Sequence, residues 1–491
     1  LNAQSLSKAS PHWDNATVYR DEWGVPHVYA NTPRAMAYTF GYTQAEDHLE
    51  DMLRAYRVAN GRASEVYGPA FIESDTHALL MRHSDLAEAA YDGLNNLTKD
   101  LCEGFASGVN SWIVEHPDDV PVWAEGVSPI DILALLHHYL TTMAPLDHDT
   151  LYAPQKGTPL ANAWALDASR TQQGNPILVM NPHTDYDGIF QWYEAHLVTK
   201  NLNVYGATLF GLPVLLMGHN NSLGWALAPN EPDTADLYGV FGTNPYTDES
   251  DDYSFHVWED QDMNEYDLPR EMTPFGPVLT YENGIPLAYK VGGYRDFGGL
   301  RQLYDMARAR NLKEFQKAWD KQQLPLFHVI YADRVNNIFY SYNAKVGDKS
   351  LLKDDRSDTP RLSSTQWESP LSTRTKGVYW GKDLSPFELP WILNPDSGYL
   401  QASGTPPWLV TEGTGWTEDD FSDWLVRDPD SYRAKRLRQL FAQGKRSFAD
   451  NQAMLYDMVV PLAAETVPYL LKAARNNKAY VDKASPNLQS V

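Results

Sequence analysis

Cysteine is almost missing from this sequence of 491 residues; Cys102 is its one occurrence. No disulfide can form within the chain, and a lone thiol outside any Cys-His signature reads as a small buried hydrophobe. Long apolar runs are missing as well. A stretch such as 209–217 is far shorter than the roughly 20 residues a helix needs to cross a bilayer. Basic residues are in deficit: Lys+Arg 40 against Asp+Glu 64, a formal net charge of −24. That sign opposes nucleic-acid phosphates and anionic membrane surfaces, and it favours solubility. The sequence also has no Gly-rich phosphate loop, no Gly-x-Ser-x-Gly elbow, no internal repeat and no low-complexity tract. No signal peptide stands at the start; Leu1 opens a polar, Ser-rich lead-in. Export followed by trimming leaves such a start, so a periplasmic or secreted location is expected.

What is present is ordinary globular composition, 43% hydrophobic and 21% charged, with Trp 15 and Tyr 29 to fill large cores. Length alone allows roughly two to four domains. Residues 17–30 read as two short strands joined by a turn at 24–26. Apolar spacing predicts helices over 34–58, stopped near Gly61, and over 85–116 and 129–143. His137-His138 falls in the last of these without metal-ligand spacing and reads as structural. The character changes near 160. Strands are expected at 177–180, 192–198, 203–209 and 223–227, with strands and turns over 236–300. A helix is expected at 301–321, a strand pair at 329–342 turning at 335–337, an irregular segment at 351–430, and helices at 431–442 and 447–476. The division is therefore 1–160, mainly helical, and 161–491, rich in strand. The fold class is α+β, with stacked sheets and helices outside.

Short motifs then follow one another in order. Arg20-Asp21 precedes Gly24-Val25-Pro26-His27. Gly41-Tyr42 leads through Ala45-Glu46-Asp47 to Arg57, Gly61-Arg62 and Glu65. Asn162 and Trp164 precede Arg170-Thr171, Gly174 and Asn181-Pro182-His183. After them come Trp192-Tyr193-Glu194 with His196, and Gly218-His219-Asn220 with Trp225, Asp233, Asp236 and Tyr238. Tyr331-Ala332-Asp333 and Asn394-Pro395 with Gly398-Tyr399 complete the series. Each is weak alone. In this order, across residues 20 to 400, the set resembles the penicillin acylase family, whose members act on penicillins, acyl-homoserine lactones and related linear amides.

The resemblance implies the αββα sandwich of N-terminal-nucleophile hydrolases. Residues 1–160 would correspond to the small subunit and 161–491 to the first part of the large one. In that family a precursor cuts itself before a serine. The serine hydroxyl then attacks the substrate, and its own α-amine, which titrates near neutrality, takes the proton. Backbone N–H groups and an asparagine hold the oxyanion. Family members run on well beyond the matched region, so a C-terminal part is expected to be missing, trimmed, or supplied by a partner chain.

This chain departs from the pattern at the cutting point. Leu160-Ala161-Asn162-Ala163-Trp164 stands where Gly-Ser-Asn-x-Trp is usual, so the nucleophile position is Ala161. His328 stands where the resemblance puts the oxyanion asparagine, and Val346-Gly347-Asp348-Lys349 stands where Pro-x-Arg is usual. An engineered exchange would explain Ala161 but not Leu160; three departures around one site fit natural degeneration better. The resemblance also puts His183 beside the nucleophile's amine and the backbone oxyanion donor near Asn230, which follows Pro229. It makes Asp233, the Ala235 carbonyl and Asp236 a candidate structural calcium turn, since close-spaced hard oxygens suit that ion; the alternative is a solvated acidic loop. Thr158 is a rival nucleophile three residues too early. Two functions are weighed. One is an amidohydrolase with a small N-acyl amide as ligand, silenced at 161; the other is a non-catalytic binding or assembly protein descended from one.

Overall fold

The computed structural model describes residues 2–4, 16–143, 160–184, 186–242, 246–349, 370–374, 379–422 and 424–477. The rival nucleophile Thr158 lies outside them.

The helices of the first region are α1 (Pro33–Ala59), α2 (Ser64–Tyr67), α3 (Ile72–Met81), α4 (His83–Tyr91), α5 (Asn96–Glu115) and α6 (Pro129–Thr142). Later come α7 (Gly299–Ala307), α8 (Leu312–Trp319), α9 (Tyr432–Phe441), α10 (Phe448–Leu455) and α11 (Pro461–Asn476). Local chemistry sets their ends. Thr32 caps α1 ahead of Pro33, and a Ser128–Asp131 capping box starts α6. The single helix expected over 85–116 is two, because Asn95 accepts from the Thr98 N–H and restarts the chain as α5. The helix expected over 301–321 likewise breaks at Asn311, which caps α8. The one expected over 447–476 breaks ahead of Pro461.

The strands are β1 (Asn2–Gln4), β2 (Ala16–Arg20), β3 (Pro26–Ala30), β4 (Leu160–Leu166), β5 (Ile177–His183), β6 (Trp192–Thr199), β7 (Leu202–Leu209), β8 (Met217–Asn220) and β9 (Leu223–Pro229). Next come β10 (Ala235–Gly239), β11 (Asp251–Glu259), β12 (Asp262–Arg270), β13 (Met272–Thr273), β14 (Gly276–Glu282) and β15 (Ile285–Val291). The last are β16 (Leu326–Asp333), β17 (Ile338–Ala344), β18 (Leu371–Ser372), β19 (Trp391–Leu393) and β20 (Tyr399–Ala402). Among the described residues the large sheet runs β1-β2-β3-β6-β7-β8-β9-β16-β17-β19, and a small sheet runs β20-β4-β5. A third, β13-β14-β15-β10-β18, and the β11-β12 hairpin stand beside them.

Side-chain alternation turns these sheets into four layers. On β9, Leu223, Trp225 and Leu227 face the helices α1 and α5 to α8, while Ala226 and Ala228 face the small sheet. On β4, Ala161, Ala163 and Ala165 meet that alanine-lined face, while Trp164 and Leu166 meet Leu437, Leu440 and Phe441 of α9. The order is helix, sheet, sheet, helix, so the expected α+β sandwich of stacked antiparallel sheets is what the chain builds. Residues 1–160 and 161–491 share it: β3 pairs parallel with β6, His27 opposite His196.

Many of the motif residues are braces. Arg20 reaches Glu46 at 2.6 Å and Asp47 at 2.9 Å, and the Tyr193 hydroxyl donates to Asp47 at 2.5 Å, tying β2, α1 and β6 together. Asp333 accepts from the N–H groups of Val335 and Asn337 at 3.0 and 2.9 Å and shapes the β16–β17 turn. His137 and His138 are structural too. They are buried on α6 against His83, with His83 Nδ1 2.7 Å from His137 Nδ1 and His138 Nδ1 3.2 Å from His83 Nε2. Because His137 Nε2 donates to the Tyr294 carbonyl at 2.8 Å, the neutral chain runs one way: His138 to His83 to His137 to Tyr294.

Candidate active site

The candidate nucleophile position lies inside a strand. Leu160 and Ala161 pair with His183 and Pro182 of β5, and Ala161 is 6% exposed, its methyl turned into the layer between the two sheets. A methyl group has no lone pair to attack a carbonyl and no proton to give up.

His183 is on the other face of the same sheet. It accepts at Nε2 from the Asn162 side-chain amide at 2.9 Å and from the Asn181 amide at 3.0 Å, and Arg433 of α9 donates to Asn162 Oδ1 at 3.5 Å. Alternation in β4 separates Ala161 from Asn162, so the methyl and the imidazole point to opposite sides. Burial and the Arg433 charge lower the His183 pKa, which keeps the ring neutral and suits Nε2 as an acceptor.

His328 does face the layer that holds Ala161, but it is fully buried and both its nitrogens are engaged. Nε2 lies 2.9 Å from Asp428 Oδ1, and Nδ1 lies 3.0 Å from the Tyr340 hydroxyl. Asp428 also accepts from the Tyr342 hydroxyl at 2.5 Å and the Glu231 N–H at 3.1 Å. The carboxylate needs a donor, so Nε2 carries the proton and Nδ1 accepts from Tyr340. No N–H is left for an oxyanion, which removes the donor role expected of His328. Burial and the Asp428 charge raise both tyrosines far above their ordinary range. Asn230, buried behind Pro229, uses its amide to donate to the Asn343 carbonyl at 3.1 Å.

The candidate calcium turn does not fit a metal ion. Asp233 and Asp236 are buried, and the Lys349 ammonium stands 2.7 Å from one and 2.8 Å from the other. Arg427 reaches Asp233 at 3.0 Å, and the Trp380 indole N–H donates to Asp236. Ala235 lies in a ladder opposite Val291. Burial pushes the Asp236 carboxyl upward, the Lys349 charge pulls it back, and the Asp233 charge adds to the rise. Among the described residues no group of three or more His, Cys, Asp or Glu side chains is arranged to hold an ion, and no helix is long and apolar enough to cross a membrane.

Sequence reasoning reached Ala161, His183, His328, Asn230 and Lys349 as positions. It missed Asp428, Arg427, Arg433, Tyr340 and Tyr342. They lie from 12 to 271 residues from the atoms they bind, and no spacing signal links them.

The family model described as Penicillin amidase matches residues 15–489. The acyl-homoserine lactone acylase PvdQ of Pseudomonas fluorescens (strain Pf0-1) is 24% identical over 554 aligned residues, covering 96% of this chain and 69% of that protein. The acyl-homoserine lactone acylase QuiP of the same strain is 20% identical, covering 92% and 62%. Among solved structures, the thermostable penicillin G acylase of Alcaligenes faecalis in its orthorhombic form superposes with a TM-score of 0.45 at 21% identity, over 60% of this chain and 51% of that one. With the family match running over nearly its whole length, this chain belongs to the penicillin amidase family.

Proposed function

We propose that this chain is an amidohydrolase scaffold for linear N-acyl amides, such as penicillins or acyl-homoserine lactones, that neither cuts itself nor turns such amides over. The observation that carries this reading is Ala161, which puts a buried methyl where the family's chemistry needs a hydroxyl. Two further features support it. The engaged nitrogens of His328 leave no donor for an oxyanion. His183 lies on the opposite face, its Nε2 accepting from Asn162 and Asn181.

Mass spectrometry of the denatured protein, with a screen of N-acyl amides, tests the reading. One undivided chain and no released acyl group are expected. Two pieces parted next to residue 161, or measurable turnover, would overturn it.

One observation favours the second reading, a non-catalytic assembly protein. The end of the described chain exposes Met458, Val459 and Val460, then Val467, Tyr469 and Leu470 on α11. Apolar side chains this close together serve better under a partner than in water. Native purification is expected to recover the chain with a stably bound partner; a lone monomer that hydrolyses acyl amides would rule this out.

A further inference from the structure

The segment that leaves β9 and enters β10 carries two buried carboxylates, Asp233 and Asp236, and the charge between them belongs to the chain. The side chains of Lys349, Asp233 and Asp236 are 0%, 1% and 0% exposed. The ammonium touches both carboxylates, and Arg427 adds a second cation on Asp233. The Trp380 ring backs the set: Lys349 Nζ lies 5.3 Å from its centroid, Lys290 Nζ lies 4.7 Å from it, and its N–H goes to Asp236. We propose that Lys349 is a tethered cation that holds the 229–236 turn in place, and that this turn needs no divalent ion.

Calcium binds oxygens at about 2.3–2.6 Å. An ion at that distance from both carboxylates would fall on the space that the ammonium fills. It would also bring two further positive charges to carboxylates that Lys349 and Arg427 already face. A buried lysine is costly to desolvate unless several partners surround it, and here two carboxylates and an aromatic face do so. The turn so held is the one that carries Asn230. It is bound in turn to 427–428: the Arg427 N–H donates to the Glu231 carbonyl at 3.2 Å, and the Glu231 N–H donates to Asp428. The tether therefore also fixes the turn against His328, independently of the acylase reading.

Thermal unfolding of the full chain tests the inference, with EDTA in one arm and millimolar calcium chloride in the other. The wild-type midpoint is expected to be the same in both. Lys349→Met keeps the stem and removes the charge, leaving two buried carboxylates facing each other. Its midpoint is expected to fall by several degrees in EDTA and to recover most of the loss in calcium, which a purely packing role for the lysine would not produce. A wild-type midpoint that drops in EDTA or rises in calcium overturns the proposal. So does a Lys349→Met midpoint that equals wild type in EDTA, or one that calcium fails to raise. If Lys349→Met does not fold in either arm, the two wild-type arms still decide.

Discussion

At the scale of single residues, the methyl at 161 sits among groups that are already engaged. The Leu160–Ala161 bond is paired with β5, the imidazole of His328 is spent on Asp428 and Tyr340, and the neighbouring asparagine is spent on His183. Ala161→Ser alone is therefore expected to remain uncut, as read by denaturing gel. Adding Leu160→Gly and His328→Asn is the smallest change expected to start self-cleavage, seen as two bands parted next to residue 161. His328 also bears on stability. His328→Leu leaves the Asp428 carboxylate without its imidazole, and the loss is expected to be about 3 kcal/mol by urea unfolding. Asp428→Asn in the same chain is expected to recover part of that loss, because the buried charge is gone. Ala161 and Leu160 were legible as departures because a motif surrounds them. Asp428 was not, since a contact spanning 100 residues is set by how the sheets stack.

At the scale of elements, α1 and α5 approach until their backbones nearly touch. A Cβ on Gly108 would sit 1.9 Å from the Tyr38 carbonyl oxygen, and one on Gly104 would sit 2.4 Å from that of Arg34. Gly108→Ala is expected to cost about 2 kcal/mol or more, read as a lower urea midpoint with the slope unchanged. The helices and hairpins were legible from period and punctuation, down to the turn at 335–337. Their breaks at Asn95 and Asn311 were not, because apolar spacing runs on across both caps and only the side chain's bond to the following N–H ends a helix there. Strand β4 was missed for a related reason. Alanine is a poor strand former by propensity, yet Ala161, Ala163 and Ala165 are what lets the small sheet settle on Ala226 and Ala228. Tertiary closeness, not propensity, put alanine in that strand.

At the scale of the whole molecule, the buried histidines make folding sensitive to acid. Burial lowers His137 to about 4 and His138 to about 3, from an ordinary 6.5, and pushes His83 well below that value. Well above 6.5 neither the folded nor the unfolded chain protonates them, and they leave stability independent of pH. Between about 6.5 and 4 the unfolded chain takes up protons that the folded one refuses, so stability falls as pH falls. The slope is at most about 1.4 kcal/mol per pH unit for each histidine. Urea midpoints between pH 7.5 and 4.5 are expected to show this decline, and His138→Gln is expected to flatten it.

The seam between β3 and β6 has a further consequence. Strands β1 to β3 belong to the large sheet, and helices α1, α5 and α6 cover one of its faces, although most of that sheet comes from residues beyond 160. The covalent link ahead of β4 is therefore not what holds the two regions together. Residues 1–159 and 160–491, produced as separate polypeptides in one cell, are expected to find each other and co-purify as a native complementation pair.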